Sequence, residues 1–389
     1  MDQTSPISDA LSLASPRVVQ HGRPQLALVE TRLRLVHPAG EIPQDWRAAL
    51  GDLLGWAGID AEIIPAERPR GLKRLADWAV PGGAPLFAPW LGWSPAAFQH
   101  GGLAHLPKAQ FVVSYLVDHL RAAPPGLGGL DLMLMSPHPA QCVAEEAGGV
   151  PVPRAGALTA MIRAARGQQR ERLAIIVTAR QRNAVATLLL AAGKGLKGDG
   201  LTLDLLTLEE ALPALMGARS PWDAVITMPD LRSTVFTLLS HGSGLCRAWP
   251  MLWYAGEGTR GLRMVTSEAP GEGASHLPLD AHALIHTLAL TLQAAGAARQ
   301  AARLHEAWAL LRDGGVTTPG HGQGGAPYSS EVADSAFIGM LCRGEAVSKR
   351  PQQPWRALHN GKQNDKNAIA GSQTAYLRVI SSQQNIITG

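Results

Sequence analysis

Cysteine is scarce in this chain of 389 residues: Cys142, Cys246 and Cys342 stand far apart and are odd in number. They supply neither a disulfide framework nor a metal-ligand spacing, which fits a reducing cytoplasm. Charge is sparse too, at 17% of residues, below the usual quarter. The 35 basic and 31 acidic residues leave a net charge of only +4, too balanced to argue for nucleic acid or an anionic membrane as partner. Phe and Tyr number five and four against ten Trp, and no run interleaves these rings with basic residues as a base-stacking surface requires. No apolar run approaches the roughly 18 residues of a spanning helix. The first residues, MDQTSPISDALSLASPR, lack the basic and apolar regions of a secretory signal.

What is present suits a large α/β protein. With 46% hydrophobic residues the chain can bury a substantial core, and its length favours two domains or one domain with an extra lobe. After a polar leader, residues 1–25, short apolar runs alternate with helical patterns, as in a parallel or mixed sheet covered by helices. Strands are predicted over 26–36, 61–64, 130–135 (LDLMLM), 173–178 (LAIIVT), 201–206 and 222–227 (WDAVIT). Apolar residues near 3.6 spacing predict helices over 44–57, 156–166, 183–192, 208–216, 282–295 and 298–312. From about Ala326 the texture turns to Gln/Asn/Ser clusters such as GKQNDKN and SSQQN. Residues 326–389 are therefore expected to be a disordered or loosely docked tail outside the folded unit.

Four local motifs carry chemical suggestions, each with a plainer reading. Gly193-Lys-Gly-Leu-Lys-Gly198 spells G-x-G-x-x-G, but it follows a helix and precedes a strand. The order is the reverse of a dinucleotide loop, so a helix C-cap and turn is the better account. His282 and His286 share a helix face, without the Glu of H-E-x-x-H or a third ligand, and read as ordinary helix histidines. Cys142 with His138 follows a strand end, where α/β proteins place chemistry. Nothing in the sequence lowers that thiol's pKa, so an inert thiol is expected. Arg121, in Asp118-His-Leu-Arg121 beyond the run FVVSYLV, can clamp a carboxylate with two parallel hydrogen bonds or can be a surface arginine.

The order of these pieces resembles the isocitrate and isopropylmalate dehydrogenase family, as a divergent member. LDLMLMSPHPAQCVAEEAGG followed by ALTAMIRAARGQQRERLAIIVTARQRN parallels the family's strand, Gly-rich arm, helix and "V-x-K-x-N" strand. Trp222-Asp-Ala-Val-Ile-Thr227-Met-Pro-Asp-Leu231 looks like "F-D-V-I-V-T-x-N-L", Gly315-Val-Thr-Thr318 like "G-x-R-T", and Asp118-His-Leu-Arg121 like "N-L-R-P". The resemblance covers residues 28–322.

It implies an isopropylmalate dehydrogenase-like α/β/α mixed sheet with two lobes. Residues 26–112 with 243–325 would form the first, nucleotide-side lobe, and 113–242 the second, which carries the metal and the dimer contact. It implies NAD- or NADP-dependent oxidative decarboxylation of a small 2-hydroxy acid, with Mg or Mn polarising the substrate, and a homodimer whose arm is residues 140–153.

Carried over, Arg121 falls on a substrate-carboxylate arginine and Glu209 near a metal carboxylate. The proton-transferring lysine falls on Gln181, or on Arg180 with a slip of one, and a guanidinium cannot act as a base. The other metal aspartates fall on residues 232–238, where no acid stands. The catalytic tyrosine falls within 140–144, where there is none, and the adenine loop on residues 268–276.

Two readings follow from this. One is a metal- and NAD-dependent 2-hydroxy-acid dehydrogenase with substituted catalytic groups. The other is a pseudoenzyme that keeps the fold for binding, assembly or regulation, beside an active paralogue or alone. A likeness only to generic α/β layering is a third.

Overall fold

The computed structural model describes residues 31–37, 44–65, 85–93, 109–118, 130–144, 149–196, 200–217, 220–244, 247–256, 261–270, 279–319, 330–344 and 376–379. The predicted alternation appears with boundaries shifted by a few residues. The first stretch gives β1 (Thr31–His37), α1 (Gln44–Trp56), β2 (Ile59–Pro65) and β3 (Leu86–Trp93). Then come β4 (Phe111–Val117), β5 (Asp131–Pro137) and a short ribbon of β6 (Cys142–Ala144) with β7 (Pro151–Pro153). The middle alternates α2 (Ala155–Gly167), β8 (Arg172–Val177), α3 (Arg182–Leu196), β9 (Thr202–Thr207), α4 (Leu208–Leu215), β10 (Ala224–Thr227) and α5 (Arg232–Gly242). It closes with β11 (Trp249–Tyr254), β12 (Leu262–Glu268), α6 (Ala281–Ala294), α7 (Ala298–Asp313), β13 (Val316–Thr317), β14 (Ser330–Glu331), α8 (Asp334–Arg343) and β15 (Tyr376–Val379).

Eleven strands form one mixed sheet in the order β15-β9-β8-β10-β5-β4-β11-β12-β3-β1-β2. β15, β9, β8, β10 and β5 form a parallel block, as do β12, β3, β1 and β2. Between the blocks, β4 pairs antiparallel with β5 and β11, and β11 antiparallel with β12. Each face carries helices. On one, α2, α3, α6, α7 and α8 cover residues such as Met133, Tyr115 and Ile175. On the other, α4 and α5 cover Leu134, Leu116 and Val225. Because strand side chains alternate between faces, a strand buried on both sides reads as a continuous apolar run, as FVVSYLV does.

Several local devices set element ends. Thr207 and Glu210 form a reciprocal capping box at the start of α4. Asp223 accepts from the Glu171 and Arg172 amides at 3.1 and 3.0 Å, fixing the entry of β8. Gly242 lets α5 cross close to α4, since a Cβ there would lie 2.7 Å from the Leu215 carbonyl oxygen.

The segment expected as a tail is folded in part. Phe337, Ile338 and Leu341 of α8 are buried in the core beside α1 and α7. Their helical spacing was masked by the polar texture on both sides. Residues 1–25 lie outside the described residues.

Candidate functional site

The register places one polar belt across the middle of the sheet. Val225, Leu134, Ser114, Met251 and Thr266 stand side by side on β10, β5, β4, β11 and β12. One row toward the ends of the parallel strands stand Ser136, Val112, Trp253 and Met264. Alternation puts Thr227 and His138 on the same face, and Glu268 one row in the other direction, opposite Trp249. This is the face covered by α4 and α5. Ser114, Ser136, His138, Thr227, Arg232, Thr266 and Glu268 are all buried.

Arg232, the first residue of α5, reaches into this belt. Its Nη2 donates to Glu268 Oε2 and to Ser114 Oγ, both at 2.7 Å. Ser114 Oγ donates to the same Glu268 oxygen. The guanidinium and the carboxylate are fully excluded from solvent. Breaking such a pair strands a buried charge, which costs about 3–5 kcal/mol even where the intact pair adds little net stability.

Around it, Trp253 Nε1 donates to Thr266 Oγ1 at 2.9 Å. The His138 ring stands edge-on to Trp253 at 6.4 Å. His138 Nδ1 accepts from the Ala140 amide at 3.1 Å, which leaves Nε2 as the protonated nitrogen of the neutral ring. Burial lowers the pKa of His138. His138 Nε2, Thr227 Oγ1 and Glu268 Oε1 find no partner among the described residues.

The residues singled out from the sequence are placed as follows. Arg121 lies outside the described residues, as do residues 271–276 of the adenine-loop segment. Arg180 is exposed on the turn after β8 and Glu209 is exposed in the first turn of α4 after β9; β8 and β9 are neighbouring parallel strands whose last residues, Val177 and Thr207, pair directly. Glu210 beside it is held by the capping box and by Arg182 at 3.0 Å, which together lower its pKa against the opposing effect of burial.

Gln181 is buried and committed. Its Oε1 accepts from the Thr178 amide at 2.9 Å, and its Nε2 donates to the Pro151 carbonyl at 2.8 Å and to the Asp230 carboxylate at 3.2 Å. Gln181 thus ties its own turn to β7 and to the turn that holds Asp230. Among the described residues, no group of three or more His, Cys, Asp and Glu side chains could hold a metal ion. The described residues therefore do not fit an oxygen-ligated Mg or Mn.

The other motifs are placed as follows. His282 and His286 are buried in α6: His282 Nδ1 accepts from Trp308 Nε1 at 2.7 Å, and His286 packs edge-on against Tyr115. Burial, with the nearby Asp230 charge, pushes the Cys142 thiol up to about 12 despite Arg154. That thiol is no nucleophile at neutral pH. The glycines at 193 and 195 lie in the last turns of α3, ahead of β9.

Reading the sequence did not pick out Arg232, Glu268 and Ser114 as a unit. A faint signal exists: Asp230 and Arg232 are the only charges in the stretch from Ala224 to Ser240. No helix among the described residues is long and apolar enough to cross a membrane.

No family model matches the chain, and no curated protein matches it in sequence. Solved structures do match. The TT0538 protein of Thermus thermophilus superposes with a TM-score of 0.54 at 13% identity, over 86% of this chain and 72% of that one. Isocitrate dehydrogenase of Methylococcus capsulatus gives a TM-score of 0.49 at 14% identity, over 80% of this chain and 98% of that one. The mixed α/β architecture expected from the sequence is the one the protein has, and the likeness to the TT0538 protein is a likeness of fold. A likeness at this identity establishes the fold; function has to be argued from the site.

Proposed function

We propose that the chain is a dehydrogenase-fold protein that no longer performs metal-dependent oxidation of a 2-hydroxy acid and uses the fold for binding, assembly or regulation. One observation carries this reading. The first turn of α5, where the resemblance puts acidic metal ligands, sends a buried guanidinium into the belt instead, paired with Glu268. That turn holds no acidic residue, and the one carboxylate that reaches it, Glu268, is engaged by the guanidinium, so it offers a divalent cation little of the oxygen ligation that the family chemistry needs. Gln181, engaged by Thr178, Pro151 and Asp230 and without a titrating group, cannot take the lysine's part.

In this reading residues 26–112 with 243–325 form one lobe and 113–242 the other. The β6–β7 ribbon, with Val143 on its surface, contributes to a contact with a second copy or with an active paralogue, in the cytoplasm.

The competing reading, an impaired NAD(P)-dependent dehydrogenase, has one observation in its favour: Arg180 and Glu209, both exposed, closely follow the paired ends of β8 and β9. It would use Arg121 for the substrate carboxylate and Glu209 for Mg or Mn. Incubation with Mg or Mn, NAD or NADP, and a panel of malate-type acids separates the two. We expect no nicotinamide absorbance, with or without cofactor binding. Turnover that disappears in Glu209→Ala would overturn the proposal.

A further inference from the structure

The guanidinium in the belt has the surroundings of a carboxylate receptor. Arg232 Nη2 and Ser114 Oγ converge on one oxygen, Glu268 Oε2. The three residues come from β4, α5 and β12, far apart in the chain and joined only through the sheet. Both charged side chains are wholly buried. A buried guanidinium needs an anion with hydrogen-bonding geometry, and whether that anion is covalently attached is immaterial to the pairing itself. Attachment matters to competition: a carboxylate fixed on a neighbouring strand is present at an effective concentration that a dissolved acid does not match.

We propose that Glu268 is a built-in ligand, its carboxylate occupying a receptor for small carboxylates formed by Arg232 and Ser114. The receptor is closed to free acids while Glu268 is present and opens to them when that side chain is shortened. The chemistry sets the size of the guest. Glu268→Ala removes a methylene and a carboxylate, and acetate supplies a methyl and a carboxylate. Acetate is therefore the matching probe. Formate leaves a void where the methylene was, and propionate overfills the space. Glu268→Gln leaves no room and keeps a neutral side chain beside the guanidinium. The inference uses the pair's geometry and does not depend on the protein being catalytically silent. Turnover with a hydroxy acid would remove that reading and leave this one standing, and a failed rescue would do the reverse.

The test is thermal unfolding of the full chain at pH 7.5 with 100 mM sodium acetate or 100 mM sodium chloride. Glu268→Ala should melt about 5 °C below the wild type in chloride, because it removes the buried carboxylate that pairs with Arg232. Acetate should restore about 2 °C, the gain expected of a ligand at roughly ten times its dissociation constant. Formate and propionate should restore less, and acetate should not move the wild type or Glu268→Gln. Three results would each overturn the proposal: an unchanged melting temperature for Glu268→Ala, a loss that acetate and chloride treat alike, or an equal acetate gain in the wild type. Should Glu268→Ala not accumulate as folded protein, refolding from urea decides. Recovery that requires acetate supports the receptor, and equal failure in both salts rejects it.

Discussion

Acidification between pH 7.5 and 5 should destabilise this protein through two buried imidazoles, in a window where few carboxylates titrate. Burial lowers His286 from the ordinary 6.5 to about 3; the Arg170 and His305 charges reinforce the shift and Asp131 opposes it. Burial and the Arg312 charge lower His305 to about 4. Both folded-state values lie below the unfolded one. The contribution is therefore fully present above pH 6.5 and is lost as pH falls toward the folded values, because the unfolded chain binds protons that the folded chain refuses.

At pH 5 each imidazole is 1.5 pH units below its unfolded pKa of about 6.5, which costs about 2 kcal/mol per group and about 4 kcal/mol for the two. Set against a total stability of about 5–15 kcal/mol, this is large enough to see without ambiguity. Urea unfolding followed by tryptophan fluorescence at pH 7.5, 6.5, 5.5 and 5.0 measures it, since Trp249, Trp253 and Trp308 are fully buried. His305→Gln should remove about 2 kcal/mol of the loss at pH 5. A stability constant to within about 1 kcal/mol over this range would mean that the rings are protonated in the folded protein, and would refute their burial under α6 and α7.

Three further outcomes follow from particular contacts. Gly242→Ala should destabilise by about 1–3 kcal/mol, because its Cβ would meet the Leu215 carbonyl at 2.7 Å; chemical denaturation reads this, and an unchanged midpoint would show that α4 and α5 separate freely. Phe337→Ala should cost about 3–5 kcal/mol and raise amide exchange across residues 334–343, because Phe337 is the fully buried anchor of α8. Iodoacetamide at pH 8 should label Cys142 on the order of 1,000-fold more slowly in the folded protein than in urea, since its thiol is pushed up to about 12; comparable rates would contradict its burial.

The elements with a clean period were legible in the sequence. LAIIVT, predicted as a strand over 173–178, is β8 (Arg172–Val177), and the helix expected over 298–312 is α7 (Ala298–Asp313). Less legible was the antiparallel seam. β11, WPMLWY, contains Pro250 and shows no alternation because both faces are buried. The proline is tolerated because pairing with β4 begins only at Met251, so its missing N–H lies where no β4 partner needs it. β12 ends in Thr266, Ser267 and Glu268, which in one dimension look like the approach to a loop. They became core positions only once β11 and β3 flanked them.

The candidate site was hidden for the same reason. Arg232 and Glu268 carry no mutual spacing signal, since long-range strand pairing alone brings them together. The Asp of WDAVIT looked like a family motif and proved to be a brace for the start of β8.

One consequence of the strand order concerns the order of synthesis. β9 pairs with β8 on one side and with β15 on the other, and β15 is made long after β9 has emerged from the ribosome. Until it arrives, the outer edge of β9 presents unpaired amides and carbonyls, the arrangement that templates association between nascent chains. That interval ends only when β15, the last strand among the described residues, pairs with β9.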